Sequence, residues 1–481
     1  MFLKLDGDGP LNRQLYRALR DAIENATLKP GDRLMPTRML RERLNLSRNV
    51  VLMAYAQLQA EGYLDARQGA GTFIAKIASD RLLPARTGRK RSRLPDNAVG
   101  PLSALGKRLV AMPFALPQVP GNYYDFRYGK THVPGETQAD WLRMERHTVR
   151  DAFKMHDMAG LPALRQAIAA HLRQHRGLTA ASDDILITAG AQEALDLILR
   201  LCVEPGTTIV VENSHYASFS ALARAYGAAP HFVPTDSVGM DTRRLPAIDS
   251  TLVYVTPSHQ FPTGTVLSLE RRRALLDWAN RTKAFIVEDD YDSEFRYDAQ
   301  PLPPLKTLDS NDRVIYVGSF SKLLSPALRI GYVIAPSTLS DKLRRLKSLT
   351  TVGMPTRAQS TLAAFIGEGL FARHLRRVRR IYAERRAALL KSLERRLGNR
   401  VEIYGAEAGL HVLMNLRDIP SRRAASFVKD AYERRAAIFA ATHFFAEPPP
   451  SLPLLLAFGG IEATRIDAGV KALAQAMDAA N

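Results

Sequence analysis

Three short stretches hold the residues best able to do chemistry. SFSKLLSPALRIGY places Lys322 between two β-rich runs, with Ser319, Ser321 and Arg329 close by in sequence. A lone lysine at such a place is more often a surface charge, so its meaning depends on what surrounds it. IVEDDYDSEFRY ends a hydrophobic run with Asp289 and Asp290, followed by Tyr291. A buried carboxylate is costly unless paired, so a cation or proton donor must face one of them. TAGAQEALDLILRLC sets Gly190, Ala191 and Gln192 at the start of a helix whose Leu195, Ile198, Leu199 and Cys202 share one face. Backbone amides at such a helix start make a phosphate site. A plain small-residue turn is the competing reading.

These stretches belong to a region, from about Asp125, where helical segments alternate with β-rich runs. The runs are ILITA, TIVVE, HFVPT, TLVYVTP, AFIVEDDY, RVIYVGSF and RIGYVIA. Seven of them, most separated by helices, predict a largely parallel α/β sheet covered on both faces. In such a sheet ligands bind at the carboxyl ends of the strands, where all three stretches fall. The chain from about Gly369 reads as helical with a few short strands, a smaller α+β subdomain.

The first 80 residues follow a different pattern. Pro10 to Asn25 reads as an amphipathic helix, with Leu15, Leu19, Ala22 and Ile23 on one face. Thr37 can cap a short helix to about Leu44, and Ser47 a third one to about Glu61. In that third helix Val51, Ala54, Tyr55 and Leu58 are spaced to pack inward. YLDAR, a QGAG turn and TFIA then predict a hairpin. Three helices and a Gly-tipped hairpin form a winged helix-turn-helix, whose third helix can enter a DNA major groove. Residues 81–97, rich in Pro, Arg and Lys, read as a linker.

The totals fit two domains. The 481 residues exceed one ordinary core, and 46% hydrophobic with 24% charged is a globular balance. No apolar run is long enough to span a membrane, the N-terminus lacks a signal-peptide core, and the single Cys202 fits a reducing cytoplasm. The formal charge is +19; residues 1–95 carry 18 Lys+Arg against 9 Asp+Glu, and residues 371–400 carry 11 against 2. Excess positive charge attracts nucleic acid. The second run reads more readily as a solvated helix face. Nothing suggests a metal site.

The stretch from PLNRQLYRALRDAI to EGYLDARQGAGTF resembles the DNA-binding domain of the GntR superfamily. SFSKLLSPALRIGY, IVEDDYDSEFRY and TAGAQEALDLILRLC together resemble fold-type-I pyridoxal-phosphate enzymes of the aspartate aminotransferase superfamily, and TPSHQFPTGTVLSL, VEDDYDSEFRY, GSFSKLLSPALRIGY and ARHLRRVRRIYAERRAAL fit the pattern of regulators that fuse the two modules. Joined, they look like the MocR subfamily of GntR regulators. The resemblance implies a GntR-type domain over 1–80, a linker over 81–120 and an aminotransferase-like domain over 121–481. It further implies a homodimer, with each DNA-binding domain able to sit on the partner's large domain. The partners would be a double-stranded promoter or operator and an amine, amino-acid or vitamin B6 effector.

By the same resemblance, Lys322 would form a Schiff base with the aldehyde of pyridoxal phosphate, and Asp289 would pair with the pyridine nitrogen. Tyr291 would bond the ring oxygen, and Tyr216 would stack on the ring. Ala191, Gln192, Ser319, Ser321 and Arg329 would hold the phosphate; His259 would lie near the site, with a structural role as an equal alternative. Arg38, Ser47, Arg48 and Asn49 would face DNA, and Arg67, Gln68 and Gly69 would contact it from the wing. Two departures stand out. Leu455, in LLLAFG, occupies the place of an arginine that grips the substrate carboxylate in aminotransferase relatives. Ser218 replaces a second arginine of the effector site. The pattern therefore favours a regulator over a working aminotransferase, with Arg357, Arg329 or Arg465 as candidate substitutes for the missing cation. A sensor of the cofactor itself is a third reading.

Overall fold

The computed structural model describes residues 3–76, 102–110, 119–153, 157–247, 251–297, 302–351 and 353–480. The chain forms two compact units, residues 1–101 and 102–481. Most of the linker expected over 81–120 lies outside the described residues.

In the first unit α1 (Leu11–Glu24), α2 (Thr37–Leu44) and α3 (Arg48–Ala60) precede an antiparallel hairpin of β1 (Leu64–Arg67) and β2 (Gly71–Ile74). All eight residues expected to face inward, four on α1 and four on α3, are buried. Ser47 caps α3, its Oγ accepting from the Val50 amide at 3.3 Å. The expected cap at Thr37 is absent: Pro36 is the N-cap residue and Thr37 is the first helical one. Proline's restricted φ already sets the chain for entry, so no side-chain cap is used. The Asn45 break is left-handed, with φ 52°.

The second unit opens with a short helix, Ala104–Val110, whose Arg108 donates to the Ala225 carbonyl, so this part of the expected linker is built into the large unit; β3 (Tyr124–Asp125) follows. Its main sheet comprises β4 (Ile185–Thr188), β5 (Thr208–Asn213), β6 (Ala229–Asp236), β7 (Gly239–Met240), β8 (Leu252–Val255), β9 (Phe285–Asp290), β10 (Val314–Ser319) and β11 (Gly331–Ile334). The order is β4-β11-β10-β9-β8-β5-β6-β7. All seven expected runs are strands. The two-residue β7 adds an eighth through an antiparallel hairpin with β6, and β11 runs antiparallel to both its neighbours. Alternation along β5 explains the double cover. Ile209 and Val211 pack with Leu195, Ile198 and Phe219 on one face, and Val210 packs with Leu275 and Trp278 on the other.

The C-terminal part holds β12 (Val401–Tyr404), β13 (His411–Pro420), β14 (Ala436–Ala437), β15 (Phe439–Ala440) and β16 (Ser451–Ala457). Four of these form the antiparallel sheet β12-β13-β16-β15, while β14 pairs with β3, so the chain returns to its own start. The basic run is mostly one helix, Leu370–Leu397, whose Leu375, Val378, Tyr382, Leu389 and Leu393 are buried. Several charges of the run serve the fold: Arg385 donates to the Gly459 carbonyl, Arg395 and Arg396 pair with Asp467, and Arg400 pairs with Asp478, while Arg373, Arg376 and Arg380 are exposed. Cys202 is half-buried at the end of helix Ala191–Cys202, and burial pushes its thiol up to about 11. Among the described residues no helix is long and apolar enough to cross a membrane, and no cluster of metal-binding side chains occurs.

Candidate functional site

Strand direction gathers the chemistry. β5, β8, β9 and β10 run parallel, and β4 shares their direction because both it and β10 are antiparallel to β11. Their carboxyl ends therefore meet at one edge, where β11 begins. Gly190 and helix Ala191–Cys202 follow β4; Tyr216 is the N-cap of helix Ala217–Tyr226 after β5; Asp289 is the next-to-last residue of β9; Lys322 sits on the short helix Phe320–Leu323 after β10. Gly331, opposite Thr188, allows the close approach of β11 to β4: a Cβ there would lie 2.8 Å from the Gly190 Cα. That approach sets Arg329 against the Gly190 turn.

The ends enclose a cavity of about 170 Å³. All nine residues singled out for the cofactor line it: Ala191, Gln192, Tyr216, Asp289, Tyr291, Ser319, Ser321, Lys322 and Arg329. Asp289 is buried, and one carboxylate oxygen, Oδ2, accepts from Tyr254 Oη at 2.7 Å. The other, Oδ1, has no partner. Burial pushes the carboxyl up to about 7, against the Tyr254 hydrogen bond. An unsatisfied carboxylate oxygen in a cavity wants a cationic or N–H partner, which a protonated pyridine nitrogen supplies. Burial lowers the Lys322 pKa, while Asp292 and Asp289 oppose it. A lysine so desolvated more readily presents the neutral amine that attacks an aldehyde. The Arg329 guanidinium donates to the Ala189 carbonyl at 2.8 Å, beside the amides that open the helix. The residues present thus fit pyridoxal phosphate at both its ring nitrogen and its phosphate.

The cavity contains groups the sequence reading passed over. Tyr128 and Lys130 come from the chain before the main sheet, and the Lys322 ammonium lies 5.5 Å from the Tyr128 ring centroid. Asp292 also lines the cavity and bonds His259 Nδ1 at 2.8 Å; Tyr291 Oη lies 3.0 Å from the same nitrogen. The alternating acids and tyrosine of EDDYD were the available signal for Asp292. His259 itself is buried behind Tyr291 rather than in the lining.

At the clamp position the side chain is Leu455, and it lies outside the cavity lining. Leu455 is fully buried in a cluster with Phe261, Leu413, Ala441 and Phe444, and Ala457 lines the cavity from the same strand. Phe261, of the same cluster, lines the cavity, whereas Leu455 does not. Ser218 is exposed and outside the lining. Neither remote substitute reaches the site. Arg357 pairs with Glu145 at 2.9 Å, and Arg465 donates to the Gly121 and Tyr123 carbonyls. Arg329 is in the lining, committed to the Ala189 turn.

On the other unit, Ser47, Arg48 and Asn49 are exposed at the start of α3. Arg38 is 86% exposed on α2 and faces Glu42 at 3.4 Å, an i,i+4 pair too weak to hold it from a phosphate. On the hairpin Arg67 stacks its guanidinium 4.7 Å from the Phe73 ring centroid, while Gln68 and Gly69 are exposed at the tip. Gly69 has φ 75°, so the turn favours glycine there.

Residues 11–74 match the family model for bacterial regulatory proteins of the GntR family, and residues 122–452 match that for aminotransferase class I and II. A probable rhizopine catabolism regulatory protein, MocR, of Rhizobium meliloti is 35% identical over 99% of this chain and 95% of its own length. The chain belongs to the MocR group of GntR regulators. Another member, the pyridoxine biosynthesis transcriptional regulator PdxR of Corynebacterium glutamicum, is 35% identical over 79% of this chain and 78% of its own. Among solved structures, the kynurenine aminotransferase of Pyrococcus horikoshii in complex with PMP aligns with a TM-score of 0.69 and 26% identity. That alignment covers 80% of this chain and 97% of that one. As a MocR-group protein, the chain is a DNA-binding regulator with an aminotransferase-like domain whose cofactor is pyridoxal phosphate.

Proposed function

We propose that the large unit senses a small molecule at its pyridoxal-phosphate site and does not turn over amino acids. The observation that carries this is the cavity itself: the nine residues for ring, aldehyde and phosphate converge, while Leu455 stands at the clamp position and stays out of the lining. Bound there, the cofactor supplies an amine-reactive aldehyde on an electron-withdrawing ring. Lys322 anchors the aldehyde carbon. Asp289, oriented by Tyr254, holds the proton at the ring nitrogen, and Tyr291 addresses the ring oxygen. Tyr216 covers one face of the ring. The Ala191 and Gln192 amides, Ser319, Ser321 and Arg329 bind the phosphate.

Transamination requires the substrate carboxylate to be held so that the reacting bond lines up with the ring. Tyr128, Phe261, Leu410 and Ala457 offer no such grip, burial keeps His411 neutral, near pKa 4, and the lining cation Lys130 is already paired with Asp125 at 2.5 Å. The effector is therefore an amine recognised by groups other than an α-carboxylate, or the cofactor itself. On the DNA side Arg38, Ser47, Arg48 and Asn49 meet the duplex, with Arg67, Gln68 and Gly69 on the wing, and the protein acts as a homodimer.

The test is fluorescence anisotropy of the full-length protein on its own promoter duplex, with and without pyridoxal phosphate, alongside stopped-flow spectra with amino donors. Affinity should change with the cofactor, and the donors should give at most a single slow half-reaction. Steady turnover at roughly 1–1,000 per second would restore the enzyme reading.

A further inference from the structure

Behind the helix start that faces the cavity lies an ion pair that none of the roles above uses. Glu193 is the third residue of helix Ala191–Cys202, and Lys347 lies near the end of helix Ser337–Thr350. The Lys347 side chain is fully buried, with Nζ 3.0 and 3.1 Å from the two Glu193 carboxylate oxygens. Two further donors converge on that carboxylate: the Ala189 amide at 2.5 Å and Thr351 Oγ1 at 2.7 Å. Burial works against ionisation of Glu193, and these donors outweigh it, holding the carboxyl below its ordinary range.

The placement is unusual for a helix start. In a capping box the acidic side chain at the third position bonds the N-cap amide, here that of Gly190. Glu193 reaches one residue further back, to Ala189. Meanwhile Arg329 holds the Ala189 carbonyl at 2.8 Å, so the residue is fixed through both its N–H and its C=O. The amides of Gly190, Ala191 and Gln192 have no acceptor among the described residues.

The geometry points to Glu193 and Lys347 as positioning residues for phosphate recognition: they hold the Ala189 turn so that the next three amides stay directed at the cofactor's phosphate. This rests on the phosphate reading given above. It differs from a general packing role because it acts on one part of the ligand only.

The test compares pyridoxal phosphate with pyridoxal, which lacks the phosphate, by absorbance titration of the cofactor-free, full-length protein. Removing one charge alone would leave its partner buried and unpaired, so the variant is Glu193→Leu with Lys347→Met. It should weaken pyridoxal phosphate about tenfold or more while leaving pyridoxal within about twofold. A milder variant, Thr351→Val, serves if the double variant does not fold. It should show a phosphate-specific loss of about two- to threefold. An equal loss for both ligands, or none for either, overturns the inference. Wild-type protein that binds both ligands equally would instead sink the phosphate reading, and the inference with it.

Discussion

At the scale of residues, the cavity stores its chemistry in groups kept from their usual protonation. Asp289 titrates near 7 instead of 3.8 because it is buried. The cofactor-free folded protein therefore holds a proton that the unfolded chain releases from about pH 4. Its stabilising effect is complete below pH 4 and is lost as pH rises through 7, a difference of at most about 4 kcal/mol. Relative to wild type, cofactor-free Asp289→Asn should gain thermal stability at pH 8 and gain less at pH 5. With cofactor, the same substitution should speed its loss on dialysis, because the ring nitrogen loses its counter-ion. A melting-temperature gain that is the same at both pH values would remove Asp289 from this role. Lys322→Ala should abolish the visible absorbance band and the borohydride-fixed adduct; a fixed adduct that persists would assign the anchor to another lysine. Leu455→Arg should not create an amino-acid site. It places a guanidinium in a fully buried apolar cluster and should cost several kcal/mol of stability, read from denaturant midpoints. Amino-acid binding gained at unchanged stability would contradict the wall described here.

At the scale of elements, the DNA contacts proposed above centre on one exposed helix start of the first unit. Arg48→Ala or Asn49→Ala should each cost roughly 1–3 kcal/mol of operator affinity and relax sequence preference at one base pair. Arg38→Ala should weaken all duplexes alike and reduce the salt slope by about one. Competition titrations at several salt concentrations separate the two patterns. These elements were legible because local rules determine them. Ser47 caps α3, and the 3.6-residue spacing of Val51, Ala54, Tyr55 and Leu58 matches their burial. The seven apolar runs likewise became strands. Local pattern does not encode direction, so the reversal of β11 was invisible in RIGYVIA. Nor does it say what covers a side chain. LLLAFG shows Leu455 at the clamp position, but the Phe261 and Phe444 rings of its cluster arrive from other parts of the chain. Tyr128 and Lys130 were missed for the same reason, since only tertiary packing carries them to the strand ends.

At the scale of the whole molecule, the +19 charge is unevenly useful. In the helix Leu370–Leu397, Arg385, Arg395 and Arg396 are engaged with the protein's own carbonyl and carboxylate groups. Replacing Arg395 and Arg396 with glutamine should leave the salt dependence of DNA binding unchanged, whereas Arg38→Ala should not. A shallower slope from the glutamine variant would bring that helix into the DNA-binding surface. The two units thus divide the work their composition suggests, one meeting a polyanion and the other enclosing a small ligand.

The lone Cys202 thiol has a practical corollary. With a pKa near 11, only about one in ten thousand of these thiols is a thiolate at neutral pH, and the side chain is half-covered. Maleimide dyes should therefore pass it by, and a cysteine introduced at exposed Gln68 would be the one that labels. The natural chain is in effect a quiet background for site-specific fluorophores, with no residue of its own to remove first.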